Sequence, residues 1–338
     1  MKRPTIADVA ERAGVTKAAV SFALNGQPGV SDTTRQRILA IARELDFQPS
    51  SAARALSDGR SGAFGLVIDR PASTLGVEPF FMQLIAGIQA ELSRDHLALL
   101  FTMAEDQAAE IELYRAWWAQ RRVDGVFVVD LQVRDRRVAV LRDLRMPAVV
   151  FGSPRGSGSL PAIWQDEVAG TEMVLEYLAG LGHRRIARVG GIPRYWHTKL
   201  RSEAFQKVAA RACVEAISIE SDYTGEHGAE ATRTLLLSTS PPTAILYDND
   251  LMALSGLSVA TQMGVDVPGT LSIVAWDDSI LCELVHPAIT ALRRDIAATG
   301  GEGARRLIAL ADGSPVDNFA EAAPALAVRG STARPAAR

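Results

Sequence analysis

The stretch "TIADVAERAGVTKAAVSFALNG", from Thr5 to Gly26, decides the fold of the N-terminal part of the chain. Thr5, with Asp8 three residues later, is typical of a helix N-cap, and Gly14 is typical of a residue that ends a helix. Thr16 then predicts the start of a second helix. Apolar residues at helical spacing mark one face of each segment, namely Ile6, Val9, Ala10 and Ala13 in the first and Val20, Ala23 and Leu24 in the second. Two short helices joined by a tight turn predict a helix-turn-helix unit.

A third helix completes this small unit. Ser31 can cap it, and Ile38, Ile41, Ala42 and Leu45 share one face. None of the three helices can bury its apolar face alone, so we expect them to pack together as an all-α head. The first 60 residues hold nine Lys and Arg against six Asp and Glu, whereas the rest of the chain holds 27 against 33. A mildly basic head on an acidic body is consistent with attraction of the head to nucleic-acid phosphates.

Alternating strand and helix patterns begin at Ala63. Short, continuous apolar runs such as "GAFGLVI", "VDGVFVVD", "AILYDND" and "LSIVAWDD" predict buried parallel strands, with helical segments between them. The Gly-, Ser- and Pro-rich segment Gly152–Pro161 interrupts the alternation, which then restarts. Two successive sets of this kind predict an α/β core of two doubly wound lobes.

Other features of the sequence exclude several classes of protein. The two cysteines, Cys213 and Cys282, form no CxxC pair, which indicates a reducing compartment. No signal peptide and no membrane-spanning run is found, so we expect a cytoplasmic protein. The five histidines show no metal-binding spacing and no nucleotide-binding or hydrolase motif occurs, so we expect neither a cofactor nor an enzyme. "GGEGARRL", Gly300–Leu307, does not follow a strand as a dinucleotide-binding loop would, and we interpret it as the start of a helix.

Polar residues close two of the predicted strands. Asp248-Asn249-Asp250 follows "AILY", and Asp277-Asp278 follows "IVAW". In open α/β sheets ligands bind at the carboxyl ends of the strands, where carboxylates and amides can hydrogen-bond a polyhydroxylated molecule. We interpret Asp250 and Asp278 as caps of the following helix or turn, and Asn249 and Asp277 as candidate ligand contacts.

The order of these blocks resembles the lactose/galactose repressor family of bacterial transcriptional regulators. "TIADVAERAGVTKAAVSFALNG", "VSDTTRQRILAIARELDFQPSSAARAL", "EPFFMQLIAGI", "LGHRRIARVGG", "AILYDND", "IVAWDDS" and "LAVRGST" occur in family order between residues 4 and 332. The resemblance implies a homodimer whose core is similar to periplasmic sugar-binding proteins. It also implies boundaries: 1–48 for the helix-turn-helix domain, 49–62 for a hinge helix and linker, 63–160 with 292–322 for the N-terminal lobe, 161–291 with 323–330 for the C-terminal lobe, and 331–338 for a disordered tail.

In this family the second helix of the head enters the major groove of operator DNA. The positions that match its DNA-contacting residues are Thr16, Lys17, Ala18, Ser21, Phe22 and Asn25. Phe22 replaces a common arginine, so the base preference should differ: Lys17 can bond guanine, and Ala18 and Phe22 can contact thymine methyl groups. Alternatively, Phe22 packs into the core of the head.

The DNA backbone and the minor groove have their own expected contacts. Leu56 matches the hinge-helix leucine that family members wedge into the minor groove, with Ala53 and Arg54 beside it. Phosphates are expected to meet Lys2, Arg3, Arg35 and the backbone amides at the caps of Thr5, Thr16 and Ser31.

The resemblance also implies an effector site between the two lobes. Its matching positions are Phe80 and Phe81 in the first lobe and Trp164, Arg201, Tyr223, Asn249 and Asp277 in the second. Such a set offers aromatic faces to sugar C–H groups and polar partners to hydroxyls. The alternatives are ordinary core packing for Phe80, Phe81 and Trp164 and a solvated position for Arg201. Gly152 stands where some sugar-binding members carry an acid, and His183 is interpreted as a structural turn residue.

These observations favour a ligand-responsive, sequence-specific DNA-binding regulator. We expect a repressor of carbohydrate-use genes that is released or tuned by a small sugar bound between the lobes. One alternative is a regulator of the same family that responds to a purine, a nucleoside or a partner protein. A solute-binding protein and an enzyme on the same scaffold are further alternatives. The DNA-binding head argues against the former, and the lack of a catalytic motif argues against the latter.

Overall fold

A computed structural model describes residues 4–47 and 60–336 of the chain. It divides into two compact units, the head up to Gly62 and the core from Ala63 onward. Several residues singled out from the sequence lie outside the described residues, namely Lys2, Arg3, Ala53, Arg54 and Leu56.

The head forms the three predicted helices. They are α1 (Ile6–Ala13), α2 (Lys17–Leu24) and α3 (Asp32–Glu44). Thr5 caps α1 in a capping box with Asp8, and Gly14 ends it in the left-handed conformation at φ +62°. Thr16 and Ser31 cap α2 and α3 through their hydroxyl oxygens. The predicted caps of the three helices and the predicted end of α1 at Gly14 are therefore confirmed.

One small apolar core holds the head together. Its buried members are Val9, Ala10, Ala13, Val20, Ala23, Ile38 and Ala42. Ile6, Leu24, Ile41 and Leu45 pack around them and are only partly buried. All three helices contribute to this cluster, so the expectation that they pack together is confirmed.

The N-terminal lobe is a parallel sheet of six strands with helices packed against it. Its strands are β1 (Ala63–Ile68), β2 (Ala98–Met103), β3 (Gly125–Val128), β4 (Ala148–Phe151), β5 (Ala162–Trp164) and β11 (Phe319–Ala320). They lie in the order β11-β5-β4-β3-β1-β2. Its helices are α4 (Ala72–Leu75), α5 (Pro79–Leu92), α6 (Gln107–Ala119), α7 (Arg136–Leu144) and α13 (Ile296–Ala311), with a 3-10 turn at Ser93–Asp95.

The C-terminal lobe repeats this architecture. Its strands are β6 (Arg185–Gly190), β7 (Glu215–Glu220), β8 (Ala244–Tyr247), β9 (Ser272–Asp277), β10 (Thr290–Arg293) and β12 (Ala325–Ala327). They lie in the order β12-β10-β9-β8-β6-β7, and only β12 runs antiparallel to its neighbour. Its helices are α8 (Glu167–Leu181), α9 (Trp196–Arg211), α10 (Gly225–Leu236), α11 (Asp250–Gln262) and α12 (Ile280–Leu284). The predicted pair of doubly wound lobes is confirmed.

The chain passes between the lobes after β5, after β10 and between β11 and β12. The boundaries expected at 160/161 and 291/292 therefore have to move. Ala162–Trp164 pairs with β4 and so belongs to the N-terminal lobe, and Thr290–Arg293 pairs with β9 and so belongs to the C-terminal lobe. The backbone pairing decides both positions, and the Gly- and Pro-rich segment before β5 is a loop within one lobe.

Two glycines bring α5 and α13 into close contact in the N-terminal lobe. A Cβ at Gly87 would lie 1.9 Å from the Ala297 carbonyl oxygen, and one at Gly300 would lie 2.3 Å from that of Leu84. The segment Gly300–Leu307 is therefore not the start of a helix, since α13 begins at Ile296 with Asp295 as its cap. Its glycines serve helix packing.

The residues after β12 are ordered against the C-terminal lobe as far as Ala333. Ser331 is buried, and its hydroxyl donates to the Ile273 carbonyl across 2.6 Å. His183 contacts the Ala333 carbonyl at 3.0 Å and the Thr243 hydroxyl at 2.8 Å, which confirms its structural role. The prediction of a disordered tail from residue 331 is thus wrong for Ser331 and Ala333, because both form hydrogen bonds with the first residues of β9.

Candidate functional site

Helix α2 presents the predicted DNA-contacting residues on its exposed face. Thr16, Lys17, Ala18, Phe22 and Asn25 are exposed, and Ser21 is half-buried. The opposite face, with Val20 and Ala23, is in the core of the head. Phe22 is 39% exposed, and its ring lies against Gly29, where a Cβ would stand 3.3 Å from Phe22 Cδ2. Phe22 therefore lies on the surface and is not a core residue of the head.

Arg35 has a different role from the expected phosphate contact. Its guanidinium donates to the carbonyl of Gln27 at 2.7 Å and to those of Phe22 and Ala23, each at 3.4 Å. These carbonyls belong to the end of α2 and the turn after it, where backbone oxygens lack helical partners. Arg35 thus holds α2 in place within the head.

The three helix caps differ in charge. At α1 the Thr5 amide donates to the Asp8 carboxylate at 2.6 Å, so a negative charge already occupies that end. Helix α3 carries Asp32 in its first turn, whereas α2 has no acidic residue in its first turn and begins with Lys17. Thr16 is therefore the cap whose surroundings best suit a phosphate.

A cavity of about 820 Å³, counting the solvent at its mouth, lies between the two lobes of the core. All seven residues that the resemblance assigns to an effector site line it, namely Phe80, Phe81, Trp164, Arg201, Tyr223, Asn249 and Asp277. They come from elements that are far apart in the chain. The structure brings every one of them to the same cavity.

Aromatic rings form part of the N-terminal side of this cleft. Phe80 and Phe81 meet edge to face with their ring centres 5.3 Å apart. Phe81 is also a member of the apolar core of that lobe, so packing and cleft lining coincide there. Phe80 and Trp164 are only partly buried and line the cavity. Their rings offer the flat apolar faces on which a sugar ring can lie.

Arg201 is fixed on the C-terminal side of the cleft. Its Nε donates to Glu167 at 2.6 Å and its Nη1 to the Asp248 carbonyl at 3.0 Å. The guanidinium lies over the indole of Trp276, 3.9 Å from the ring centre. Burial alone would lower its pKa, but Glu167 and Asp248 raise that pKa above the ordinary value of arginine. Arg201 is buried, which excludes the solvated alternative.

Tyr223 occupies a strained backbone position beside the cleft. Its φ is +72°, and a Cβ at Gly191 would lie 1.8 Å from its Cζ, so only glycine fits beneath the ring. Its hydroxyl is 2.7 Å from both His197 Nε2 and Thr198 Oγ1. Burial raises the pKa of this phenol and, with Arg201, lowers that of His197 to about 4. Both side chains are thus neutral hydrogen-bonding groups near pH 7.

Asn249 is both a cleft residue and a helix cap. Its Oδ1 accepts from the Met252 amide at 2.9 Å, so Asn249 rather than Asp250 caps α11. Asp250 instead accepts from the Ser279 amide at 2.6 Å, and Asp278 accepts from Arg293 at 2.7 Å. The cap interpretations of Asp250 and Asp278 are therefore wrong. The residue that caps a helix is the one whose backbone is still extended, and here that is Asn249.

Asp277 ends β9 in the left-handed conformation, with φ +93°. Its Oδ1 accepts from Arg294 Nη1 at 3.1 Å. Burial raises its pKa above the usual range even though Arg294 and Arg201 lower it. A non-glycine residue held at such a φ costs conformational energy, which is typical of functional positions.

Sequence reasoning missed several polar residues of the N-terminal lobe that line the same cavity, including three charged side chains. These three are Arg70, Glu78 and Asp130. Arg70 follows β1 and Asp130 follows β3, so the strand-end rule applied to Asp277 could have found them. Glu78 directly precedes α5 and carries no such signal. Further polar residues that were missed are Gln165, Glu167, His197, Asp248, Arg294, Thr299 and Glu321.

No metal-binding cluster of His, Cys, Asp or Glu occurs in residues 4–47 and 60–336. Within the same ranges, no helix is long and apolar enough to cross a membrane.

Two family models match this chain. The one described as "Bacterial regulatory proteins, lacI family" matches residues 5–50, and the one described as "Periplasmic binding protein-like domain" matches residues 175–332. The HTH-type transcriptional regulator MalR of Streptomyces coelicolor is 31% identical over 341 residues, covering 97% of this chain and 96% of the relative. The similarity therefore extends over the head and both lobes.

Solved structures of similar fold include complexes with DNA and with a ligand. The lac repressor dimer bound to operator and the anti-inducer ONPF matches with a TM-score of 0.86 and 27% identity, over 98% of this chain and all of that one. The complex of the transcriptional regulator CelR with cellobiose matches with a TM-score of 0.74 and 27% identity, over 97% of this chain and all of that one.

Proposed function

The chain belongs to the lacI family of bacterial regulatory proteins, and on that premise we propose that it represses carbohydrate-use genes in response to a sugar bound in its cleft. It is a DNA-binding transcriptional regulator with a helix-turn-helix head and a two-lobed core. The sugar, the contact residues and the assembly described below are the parts that we propose.

The observation that carries the sugar proposal is the composition of the cleft walls. Partly buried rings of Phe80 and Trp164 line the same cavity as the charged groups of Arg201 and Asp277. A pyranose needs this combination, because its C–H faces are apolar and its hydroxyls both donate and accept. The cellobiose held by the similar CelR complex supports the same ligand class.

We further propose that α2 reads the operator with the side chains on its exposed face. Thr16 and Lys17 lie at its N-terminus, where helices of this kind meet base edges and phosphates. Ala18 and Phe22 offer methyl and ring carbons to thymine methyl groups, and Ser21 and Asn25 complete the face. Since α2 exposes one cation and one aromatic ring here, its preferred operator should differ from that of an arginine-bearing relative.

A homodimer is the proposed assembly. Among the exposed apolar side chains of the core, two pairs each lie on one element: Phe101 and Met103 on the edge strand β2, and Ile280 and Leu284 on α12. Large exposed apolar residues of this kind are typical of surfaces that bury one another. Two heads on a twofold axis would read a palindromic operator.

A thermal-shift panel tests the ligand class. The panel contains cellobiose, maltose, lactose and sucrose as sugars, with adenine, hypoxanthine and guanosine as purine competitors. A ligand at one hundred times its Kd adds ~2.7 kcal/mol to the free energy of unfolding, which is easily measured. We expect at least one sugar to raise the melting temperature and to change operator affinity. Binding of a purine alone would replace the sugar proposal with a purine-responsive regulator.

A further inference from the structure

Glu78 joins the two lobes across the cleft. It lies in the N-terminal lobe immediately before α5, and its Oε1 accepts from Nδ2 of Asn249 in the C-terminal lobe at 3.1 Å. Asn249 has no freedom to turn away, because its Oδ1 caps α11 and its Nδ2 also donates to the Tyr223 carbonyl at 3.0 Å. One carboxylate oxygen of Glu78 is thus hydrogen-bonded to the C-terminal lobe.

The second oxygen of Glu78 has no partner within the described part of the chain. Glu78 is only 6% exposed, and its Oε2 is buried in the cavity wall without a hydrogen bond. An unsatisfied buried polar atom costs roughly what a lost hydrogen bond costs, so native proteins rarely leave one without a function. The free oxygen belongs to a residue that lines the cleft.

Arg70 presents the complementary group on the same lobe. It is also 6% exposed, and its Nη1 is buried without a partner in the described residues. Its Nε donates to Asp130 at 2.8 Å, and the guanidinium lies 5.0 Å from the ring centre of Tyr195 and 4.8 Å from that of Tyr223. These contacts fix the side chain and leave the Nη1 amino group for a ligand.

We propose that Glu78 and Arg70 together bind two neighbouring hydroxyls of the sugar. Glu78 Oε2 accepts from one hydroxyl, and Arg70 Nη1 donates to the oxygen of the next. Glu78 Oε1 stays on Asn249, so the residue that holds the sugar is itself bonded to the C-terminal lobe. This inference rests on the proposed function, and it specifies a vicinal diol as the feature recognised.

The charges around Glu78 make this recognition dependent on pH. Burial raises the pKa of Glu78 to about 7 although Arg70 and the Asn249 amide lower it. The other charged groups that act on it are Asp130 from the N-terminal lobe and Asp277 from the C-terminal lobe, which both raise its pKa. A carboxylate accepts a hydroxyl hydrogen better than the protonated acid does. Sugar affinity should therefore rise as the pH passes from 6 to 8.

The test is calorimetric titration of the full-length protein with cellobiose and maltose, followed by lactose and sucrose, at pH 6 and pH 8. Glu78→Gln keeps an oxygen for Asn249 but places an N–H₂ group where Oε2 accepts. We expect it to weaken the affinity of the bound sugar at pH 8 at least tenfold, in line with loss of a hydrogen bond to a charged group. Its affinity should also depend less on pH than that of the wild type. Glu112→Gln, on the exposed face of α6, is the matched control and should bind like the wild type.

The outcomes distinguish failure of the Glu78–Arg70 inference from failure of the sugar proposal. Equal sugar affinity of the wild type and Glu78→Gln overturns this inference alone. If none of the four sugars binds the wild type, the sugar proposal fails and this inference fails with it. Should Glu78→Gln not fold, as judged by circular dichroism, Arg70→Lys tests the same pair. It retains the charge but loses the fixed guanidinium donor, and we expect at least a fivefold loss, whereas wild-type affinity in that variant would contradict the inference.

Discussion

Arg201 Nε donates to Glu167 Oε2 across 2.6 Å, and this ion pair ties α9 to the first turn of α8. Glu167 stands where the chain has just entered the C-terminal lobe after β5. Arg201 Nη1 meanwhile bonds the Asp248 carbonyl at the end of β8 at 3.0 Å. The guanidinium thus connects the crossover between the lobes to a strand end that lines the cleft.

The first prediction follows from this pair. Arg201→Met removes the cation and leaves Glu167 buried without its counter-charge, which typically costs about 3–5 kcal/mol. We expect a lower free energy of unfolding in urea and a complete loss of sugar response in operator-binding assays. Arg211→Met removes an exposed arginine of the same helix and should cost less than about 1 kcal/mol. Equal stability of the two variants would argue against a role for Arg201 in holding the crossover.

The second prediction concerns Asp277. Asp277→Ala removes a hydrogen-bonding group from the cleft and leaves Arg294 paired with Glu321, but it changes no residue of the head. It should abolish the response to sugar and leave ligand-free operator affinity within a few-fold of the wild type, because a ligand acts only through its differential affinity for two states. Fluorescence anisotropy with labelled operator measures both quantities. An unchanged sugar response would remove Asp277 from the effector site.

The third prediction concerns the base preference of α2. Phe22→Arg places a guanine-reading group on the exposed face, whereas Phe22→Ala removes the apolar contact to thymine methyl groups. Selection from a randomised operator library should shift toward G·C pairs for the arginine variant. The alanine variant should lose roughly 1 kcal/mol of discrimination at the thymine position, about the value of one buried methyl group. Identical selected sites for wild type and both variants would show that Phe22 reads no base.

The fourth prediction is a pH dependence of stability. Burial raises the pKa values of Glu78 and Asp250 to about 7. Between their ordinary values and pH 7 the folded protein binds more protons than the unfolded chain, so their contribution to stability falls as the pH rises through this window. His197, whose pKa is lowered to about 4, acts in the opposite direction below pH 6.5. The contribution of each carboxylate must therefore be measured by comparing the pH dependence of stability of a variant with that of the wild type.

Glu78→Gln and Asp250→Asn isolate the two carboxylates. Each variant should lose less unfolding free energy than the wild type between pH 5 and pH 8, as measured by urea denaturation. Glu230→Gln, an exposed carboxylate on α10, serves as the control and should follow the wild type. Parallel pH profiles for all four proteins would contradict the raised pKa values.

The fifth prediction concerns the assembly. Ile280→Asp and Leu284→Asp place charges on the exposed apolar side chains of α12. Together they should shift light scattering at micromolar concentration from dimer to monomer and weaken operator binding. Leu237→Asp changes an exposed leucine at the end of α10 and is the control. A dimer that withstands the double substitution would place the interface elsewhere.

Local patterns in the sequence determined the three helices of the head and the positions of the buried strands along the chain. Thr5, Thr16 and Ser31 each cap a helix because their hydroxyls satisfy backbone amides within three residues, which needs no distant partner. The apolar runs of β8 and β9 likewise predicted buried strands, since continuous apolar runs suit strands covered on both faces. The effector positions came from the family resemblance, and all seven line one cavity.

Only the tertiary structure decided which lobe each segment joins and which polar atoms remain free. Ala162–Trp164 belongs to the N-terminal lobe because it pairs with β4, and no local pattern in those three residues records that partner. The contact between Glu78 and Asn249 joins residues 171 positions apart. Whether a buried carboxylate is paired, free or shared between lobes depends on such distant neighbours, and hydrogen bonding and desolvation act only once the fold has brought them together.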